Sequence, residues 1–326
     1  MPAPFDFSLL AVHISDGVLT ARWWMGGFAV AALLALFGAW RIRDEEIPQV
    51  ALLTAAFFVA SLIHVTMPPT SVHLLLNGLV GVVLGRRAAL AIPVGLAMQA
   101  ALLFHGGFTT IGINSCVMAV PALLAGQLFR MLRALPWLGR PWFRSTLVAT
   151  GSAAWTLCLV YTVVFISTNP LKALGPNDPP LDPHWANALT FHPLTLTFVI
   201  ALSAAFAWVE RRMENAPEFP LGLLVGEFAV LATALLNCLV LSWGGQEAWH
   251  ALALLVFVAH LPIAVIEGVV LGFTVGFLAR VKPDLLGWHG EEAKAKPSAA
   301  FDVPSRNGDP FDRVVDSPEH SMEKAE

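Results

Sequence analysis

Charged residues are scarce in this sequence. They make up 13% of its 326 residues, whereas hydrophobic residues make up 56%. Because a globular domain typically carries about 25% charged residues, this composition excludes an ordinary water-soluble protein and predicts a protein of the lipid bilayer. The net charge of -4 leaves no basic surface that would neutralise phosphates, so a nucleic-acid-binding protein is excluded as well.

The sequence also lacks the local motifs of several enzyme classes. Its three cysteines, Cys116, Cys158 and Cys238, show no paired spacing, so they are expected to be packing residues. There is no H-E-x-x-H zinc motif and no G-x-x-x-x-G-K-[ST] phosphate loop. The chain is therefore predicted not to be an enzyme, and in any ATP-driven transport another subunit must hydrolyse the ATP.

Long apolar runs dominate the rest of the chain. A hydrocarbon core of about 30 Å needs roughly 20 helical residues, and these runs predict an all-α polytopic membrane protein with about nine transmembrane helices. The third run is one of the two shortest and carries Ser71, His73 and Asn77, a polarity typical of a binding site in a transporter. The predicted spans are 23–40, 48–63, 70–85, 88–104, 114–132, 145–167, 191–209, 220–242 and 249–278.

Basic residues are distributed unevenly among the loops that join these spans. One set of loops contains only Arg22 and Lys172. The alternate set contains Arg41, Arg43, Arg86, Arg87, Arg130, Arg133, Arg140, Arg144, Arg211, Arg212, Arg280 and Lys282. Because Lys and Arg are retained on the cytoplasmic side, we expect the N-terminus outside, the C-terminus in the cytoplasm, and a multi-pass protein of the cell (inner) membrane.

The chain divides into three predicted regions. Residues 1–22 form an external N-terminal segment, residues 23–286 form the transmembrane domain, and residues 287–326 form a cytoplasmic tail. The tail is polar and has too little apolar surface to fold alone, so it is predicted to be disordered. The first residues lack the basic region of a cleaved signal peptide, which is therefore not expected.

With this orientation, seven histidines fall near the outer face. Four of them cluster before the first span and at the loops around the second to fourth spans, namely His13, His64, His73 and His105, and the others are His184, His192 and His250. Neutral imidazole is a good ligand for Co²⁺, Ni²⁺, Cu²⁺ and Zn²⁺. A single interfacial histidine is more often a hydrogen-bonding residue, but four on one side favour a metal site. The glycine-rich loop 105–114 has the composition of a shaped lid, in which Thr and Asn side chains hold a ligand imidazole in place.

Three ionisable side chains lie inside predicted spans, namely Glu227, His260 and Glu267. Charge is costly in hydrocarbon, so each is expected to face protein. Counting from the span ends places both carboxylates in the inner half of the membrane, away from the outer histidines. Contact between helices or with a partner subunit is favoured for His260 and Glu267 over a role in transport chemistry.

Four separated blocks resemble the CbiM/NikM family, the substrate-capture membrane components of energy-coupling factor transporters for cobalt and nickel. The blocks are H-I-S-D-G-V-L at 13–19, T-S-V-H-L at 70–74, the 99–114 stretch from Q-A-A-L-L to G-I-N, and 260–268 from H-L-P to I-E-G. The resemblance implies that Co²⁺ or Ni²⁺ is the transported substrate, often for cobalamin biosynthesis. It implies as partners a second integral membrane coupling subunit and cytoplasmic ATPase subunits, with a small accessory membrane subunit left open.

The family also implies a ligand set made of nitrogens. These are the N-terminal amine, the amide and imidazole of a histidine at position two, and a histidine in the T-S-x-H element, which correspond here to His13 and His73. Because Met1 is twelve residues from His13, the amine would have to come from Val12 after cleavage behind Ala11. Otherwise His64 or His105 would complete the coordination shell of the metal. The predicted supporting residues are Val12, Asp16, Ser71, Thr110 and Asn114.

Two other functions remain open at this level. A membrane enzyme could use a histidine-bound metal centre as a Lewis acid or redox centre, which would require an open coordination position and a nearby general base. A metal-free scaffold would not depend on His73. Cobalt and nickel are not distinguished, because both accept the same imidazole and amide donors.

Overall fold

The computed structural model describes residues 13–67, 70–135, 140–168, 184–212, 218–246 and 250–287. These residues are mostly helical, with one short antiparallel hairpin and three short 3-10 helices. The helices are α1 (Ala21–Ala39), α2 (Ile47–Ala60), α3 (Asn77–Leu84), α4 (Ala88–Leu103), α5 (Ile111–Arg133), α6 (Pro141–Thr168), α7 (His184–Thr190), α8 (Pro193–Arg212), α9 (Phe219–Gly244) and α10 (His250–Val281). The strands are β1 (His64–Met67) and β2 (Thr70–His73).

The predicted helical, multi-pass membrane fold is confirmed. Six helical stretches of the described chain are long and apolar enough to cross a bilayer, and α7 with α8, bent by 53°, would make a seventh. The nine predicted spans differ from these at two places. Helix α2 has 14 residues and is about 21 Å long, which is short for a span, and α3 with α4 forms one candidate span, Asn77–Leu103.

The predicted span at 70–85 is not a single helix. Its first residues form β2, in which His73 pairs with His64 of β1, and only then does the eight-residue α3 begin. Apolar content does not distinguish a strand from a helix over so short a run, and the β-branched Thr70 and Val72 favour the strand. Non-helical backbone at membrane depth requires cover from protein or a water-filled cavity, so this segment is a candidate binding element.

The described part of the predicted N-terminal segment packs into the helical bundle. Its apolar residues Ile14, Val18 and Leu19 are buried against side chains of α5, α9 and α10. The backbone N–H of Thr20 donates to the carbonyl of Gly244 over 2.9 Å. The segment is thereby held at the end of the bundle where α9 ends and α5 begins. Residues 1–12, with Val12, and residues 288–326 of the predicted tail 287–326 lie outside the described residues.

Glycines bring the backbones of α9 and α10 into direct contact. A Cβ atom built on Gly226 would lie 2.8 Å from the Cα of Gly268, and one built on Gly222 would lie 2.7 Å from the Cα of Gly272. Close packing of small residues is a principal source of helix association in membranes. The two helices therefore form a tightly packed pair, which supports the side chains that α10 presents to the site.

Arg87, before α4, caps the C-terminus of α1. Its guanidinium is 4% exposed and donates to the carbonyls of Gly38 over 2.7 Å, Trp40 over 2.8 Å and Arg41 over 2.9 Å, and to the carboxylate of Glu46 over 2.7 Å. Carbonyls at a helix C-terminus lack partners within the helix, so Arg87 satisfies them and joins α1 to α4.

The Glu46→Gln substitution is expected to lower the free energy of unfolding by about 1 kcal/mol near neutral pH. The hydrogen bond from Arg87, and a second from the backbone of Arg43, lower the pKa of Glu46 from 4.5 to about 2. The carboxylate therefore stabilises the fold above pH 4.5 and loses this contribution as the pH falls through about 2. Thermal unfolding of the detergent-solubilised protein from neutral pH down to about pH 2 measures the contribution of Glu46. The substitution Glu45→Gln, at an exposed neighbour, is the control. Equal losses in both variants would contradict the assignment.

Candidate metal site

Three of the four predicted metal ligands converge in the structure. The side chains of His13, His73 and His105 each offer a nitrogen, and these ligand atoms lie within 4.8 Å of one another. The ring centroids are 5.0 Å apart for His13 and His73, 4.8 Å for His13 and His105, and 5.1 Å for His73 and His105. Among the residues that the structure describes, no other group of three His, Cys, Asp or Glu side chains is this close.

The three histidines come from three different segments. His13 lies in the N-terminal segment, His73 ends β2, and His105 follows the C-terminus of α4. His13 is 2% exposed and His73 is 1% exposed. Because the segments are distant in sequence, the cluster exists only in the folded protein, and its geometry depends on the contacts that hold each segment.

The cluster fits a first-row divalent ion. Metal to imidazole nitrogen bonds are about 2.1 Å long, so nitrogens on one ion lie about 3 to 4 Å apart. The upper limit of 4.8 Å between the three ligand atoms is within a small side-chain adjustment of that spacing. A set of three imidazoles suits Co²⁺, Ni²⁺, Cu²⁺ and Zn²⁺ rather than Mg²⁺ or Ca²⁺, which prefer oxygen ligands.

The backbone next to His73 orients its ring. The Nδ1 atom lies 2.8 Å from the carbonyl oxygen of Leu74. A carbonyl only accepts, so Nδ1 carries the proton and donates it, which leaves the lone pair of Nε2 available for a metal. A second hydrogen bond of this kind is the usual means of fixing the tautomer and orientation of a metal-ligating histidine.

Asn114 and Thr110, at the start of α5, hold the residue that follows His13. The Oδ1 atom of Asn114 accepts the Ile14 N–H over 2.9 Å, and its Nδ2 donates to the Ile14 carbonyl over 3.0 Å. The hydroxyl of Thr110 donates to the same carbonyl over 2.5 Å. The Asn114 side chain thus pairs with the backbone of Ile14 as a neighbouring strand would, and Asn114 and Thr110 both contact the segment that contains His13.

Asp16 joins the N-terminal segment to the glycine-rich loop. Its carboxylate accepts the N–H of Phe108 over 3.0 Å and of Thr109 over 2.8 Å, and it also accepts the hydroxyl of Thr109. A Cβ atom on Gly107 would lie 2.2 Å from the Asp16 Oδ1, so only glycine allows this approach. Asp16 therefore holds the loop that carries His105 against the segment that carries His13.

The structure describes no side-chain contact between the three histidines and the other predicted site residues, His64, Ser71 and Val12. The backbone of His64 pairs with that of His73 in the hairpin, whereas the side chains of His64 and Ser71, and all of Val12, lie outside the described part of the chain. His260 is buried in α10, where its Nδ1 lies 2.5 Å from the carbonyl of Val256.

One contact with the cluster is not predictable from the sequence. The Glu267 carboxylate accepts the backbone N–H groups of Leu75 and Leu76, which closely follow His73. Residue counts from the span ends place Glu267 in the inner half of the membrane, away from the outer histidines, because they treat residues 70–85 as one straight span. No local motif indicates a contact between residues 192 positions apart.

Comparisons with known proteins give one consistent family. The profile of CbiM, described as "Cobalt uptake substrate-specific transmembrane region", matches residues 13–197 and 188–285. A putative metal transport protein of Haemophilus influenzae is 42% identical over 119 residues, which are 36% of this chain and 58% of that protein. The putative cobalt transport protein CbiM 1 of Methanocorpusculum labreanum is 27% identical over 284 residues, 84% of this chain and 92% of that one.

A solved structure described as a transition metal transporter also aligns with this chain. It is 18% identical, covers 86% of this chain and 96% of its own, and gives a TM-score of 0.48.

Proposed function

The chain belongs to the CbiM family, and from this membership we propose that it is the substrate-binding component of an ATP-driven energy-coupling factor importer for Co²⁺ or Ni²⁺. It captures the metal, as transported substrate, with the imidazoles of His13, His73 and His105. It supplies no ATPase of its own. Its partners are a second integral membrane subunit, cytoplasmic ATPase subunits and, in the fuller assembly, a small accessory membrane subunit. Cobalamin biosynthesis is one destination for the cobalt.

The observation that carries this proposal is the convergence of three histidines from three segments. A single buried histidine is commonly a structural residue, whereas three ligand atoms within 4.8 Å with a nitrogen-only donor set suit cobalt, the metal named in the CbiM description. Three imidazoles leave a further coordination position, which the amine of a processed Val12 or the His13 backbone amide would fill.

The position of the cluster supports capture from outside. Helix α5 begins beside the cluster and ends at Arg133, with Arg130 in its last turn, about 33 Å away at 1.5 Å per residue. Helices α8 and α10 also carry arginines in their last turns. Since basic ends are retained in the cytoplasm, the cluster lies at the opposite, outer end, where a scarce metal first meets the protein.

A membrane enzyme with a histidine-bound metal is less well supported. Such a site would need a general base beside the metal, and no carboxylate joins the cluster among the described residues. Asp16 already accepts hydrogen bonds from the loop at Phe108 and Thr109. The predicted topology places three further acids, Asp178, Asp182 and Glu247, in outer loops, and these residues lie outside the described part of the chain.

Metal binding and uptake by the unmodified protein test the proposal. We expect the purified chain to bind one Co²⁺ or Ni²⁺ that Mg²⁺ does not displace, measured by equilibrium dialysis with the two ions in competition. Cells should accumulate the metal only when the coupling and ATPase subunits are expressed with this chain. Equal accumulation with the chain alone, or no stoichiometric binding, would contradict the proposal. The intact mass of the same preparation decides whether Val12 is the mature terminus.

A further inference from the structure

We propose that Glu267 is a positioning residue for the metal ligand His73, acting through the peptide group between Leu74 and Leu75. This inference rests on the proposed capture of the metal by His13, His73 and His105. The carboxylate lies on α10, whereas the ligand lies at the end of β2, so the contact joins two segments that are far apart in the sequence.

The two hydrogen bonds involved meet on one peptide group. The Glu267 carboxylate accepts the N–H of Leu75, and the carbonyl of the same peptide unit, that of Leu74, accepts the Nδ1–H of His73 over 2.8 Å. A peptide group is planar, so fixing the direction of its N–H also fixes the direction of its C=O. Glu267 therefore determines where the acceptor of the imidazole proton points.

The same arrangement strengthens the imidazole as a ligand. Both oxygens of Glu267 accept backbone N–H groups, the arrangement that suits an ionised carboxylate. Hydrogen bonds to an ionised carboxylate are about twice as strong as neutral ones, and hydrogen bonds in series polarise one another. A carboxylate that accepts a peptide N–H makes the carbonyl of that peptide a better acceptor. The Nδ1–H of His73 is then bound more firmly, which raises the basicity of Nε2, as in a carboxylate–histidine–metal arrangement with a peptide group inserted.

A second contact of Glu267 stabilises the turn after His73. Both carboxylate oxygens accept the N–H of Leu76, over 2.9 and 3.0 Å. Leu76 has φ +49°, a left-handed conformation that costs a non-glycine residue roughly 1 to 2 kcal/mol. Such a conformation persists only when its surroundings enforce it, and it is concentrated at functional sites. The carboxylate enforces the turn that directs the chain from His73 into α3.

The burial of Glu267 indicates that its carboxylate serves to bind these backbone N–H groups. Glu267 is 3% exposed and Leu75 is fully buried, so solvent does not screen their interaction. In the part of the chain that the structure describes, Glu267 forms no ion pair with an Arg, Lys or His, since both ion pairs found there involve Glu46. A buried carboxylate is costly without partners, and its hydrogen bonds go to the backbone beside a metal ligand.

Binding of Co²⁺ to the purified full-length protein tests this role. Glu267→Ala is expected to weaken Co²⁺ binding about 10-fold, in the range typical for partners of metal-ligating histidines. Glu267→Gln keeps one acceptor oxygen for Leu75 and should lose less. Both variants should shift the visible absorption of bound Co²⁺, because the ligand field depends on the orientation and donor strength of His73. A residue that only stabilised the fold would not move this spectrum.

Glu227→Gln is the matched control. Glu227 is a second buried carboxylate, on α9, and it hydrogen bonds to Trp155 rather than to the His73 segment. Its substitution should leave the Co²⁺ affinity and spectrum unchanged. Circular dichroism and gel filtration identify variants that fail to fold. If Glu267→Ala does not fold, the isosteric Glu267→Gln carries the test.

Different results would overturn the positioning role of Glu267 and the proposed capture of metal by the histidines. Wild-type affinity and spectrum in the folded Glu267 variants, together with loss of binding in His73→Ala, would overturn the positioning role and leave the metal site intact. Wild-type binding by His73→Ala itself would overturn the proposed function, and the positioning role with it.

Discussion

Replacing His73 with alanine is expected to weaken Co²⁺ or Ni²⁺ binding by at least about 100-fold. His73 contributes one of the three imidazoles whose ligand atoms lie within 4.8 Å of one another, and removal of the partners of such a ligand alone costs about 10- to 100-fold. Loss of the ligand should exceed that range. His73 is 1% exposed, so no outside side chain can replace it. Equilibrium dialysis of the purified variant measures the change, and His13→Ala should behave in the same way.

His192→Ala provides the control for this prediction. His192 is an exposed histidine between α7 and α8, where its Nδ1 accepts the N–H of Leu194. Its loss should leave metal binding unchanged. Cells that carry the complete importer with His73→Ala should lose metal accumulation while keeping the chain in the membrane. If the protein were a metal-free scaffold, cells with His73→Ala would accumulate as much metal as cells with the unmodified protein. That result would refute the assignment of His73 as a ligand.

The membrane fold was predictable because bilayer spanning depends mainly on apolar length. The predicted runs at 114–132 and 220–242 correspond to α5 and α9, whose apolar stretches are bounded by arginines or glycines. The hairpin at 64–73 was not predictable in this way. Strand pairing of His64 with His73 depends on cover supplied by distant helices, and the apolar count of residues 70–85 is the same for a strand followed by a helix as for one helix.

The convergence of His13, His73 and His105 was predictable only as a tendency. The alternation of basic residues places all three near one face, and the motifs of the CbiM family single out His13 and His73. Which histidine joins them is decided by the close approach of Gly107 to Asp16, a contact between two loops. The role of Glu267 could not be predicted, since it depends on the depth to which residues 70–76 enter the bundle. Candidate ligand residues are thus easier to predict from the sequence than the residues that hold them in place.

Asn114→Ala is expected to weaken metal binding by about 10- to 100-fold without removing a ligand. The Asn114 side chain is 4% exposed and pairs with both the N–H and the carbonyl of Ile14. Its removal leaves the buried Ile14 N–H without that acceptor, at a cost of about 1 to 3 kcal/mol. The carbonyl keeps its bond from Thr110. The segment that carries His13 then gains freedom that metal binding must remove, and each 1.4 kcal/mol corresponds to about 10-fold in affinity.

Two further substitutions near the start of α5 distinguish the positioning of His13 from a general effect on protein stability. Thr110→Val removes one of two donors to the Ile14 carbonyl and should weaken binding by less than about 10-fold. The double variant should lose more than the two single losses combined, because the carbonyl then has neither donor. Ser115→Ala, at a fully buried neighbour whose hydroxyl has no hydrogen-bond partner in the described chain, should have no effect. Co²⁺ titration of the four proteins measures these differences. Wild-type affinity in Asn114→Ala would mean that His13 is held by the packing of Ile14, Val18 and Leu19 rather than by the Asn114 amide. Additive losses would mean that Asn114 and Thr110 act independently and not through their shared acceptor, the Ile14 carbonyl.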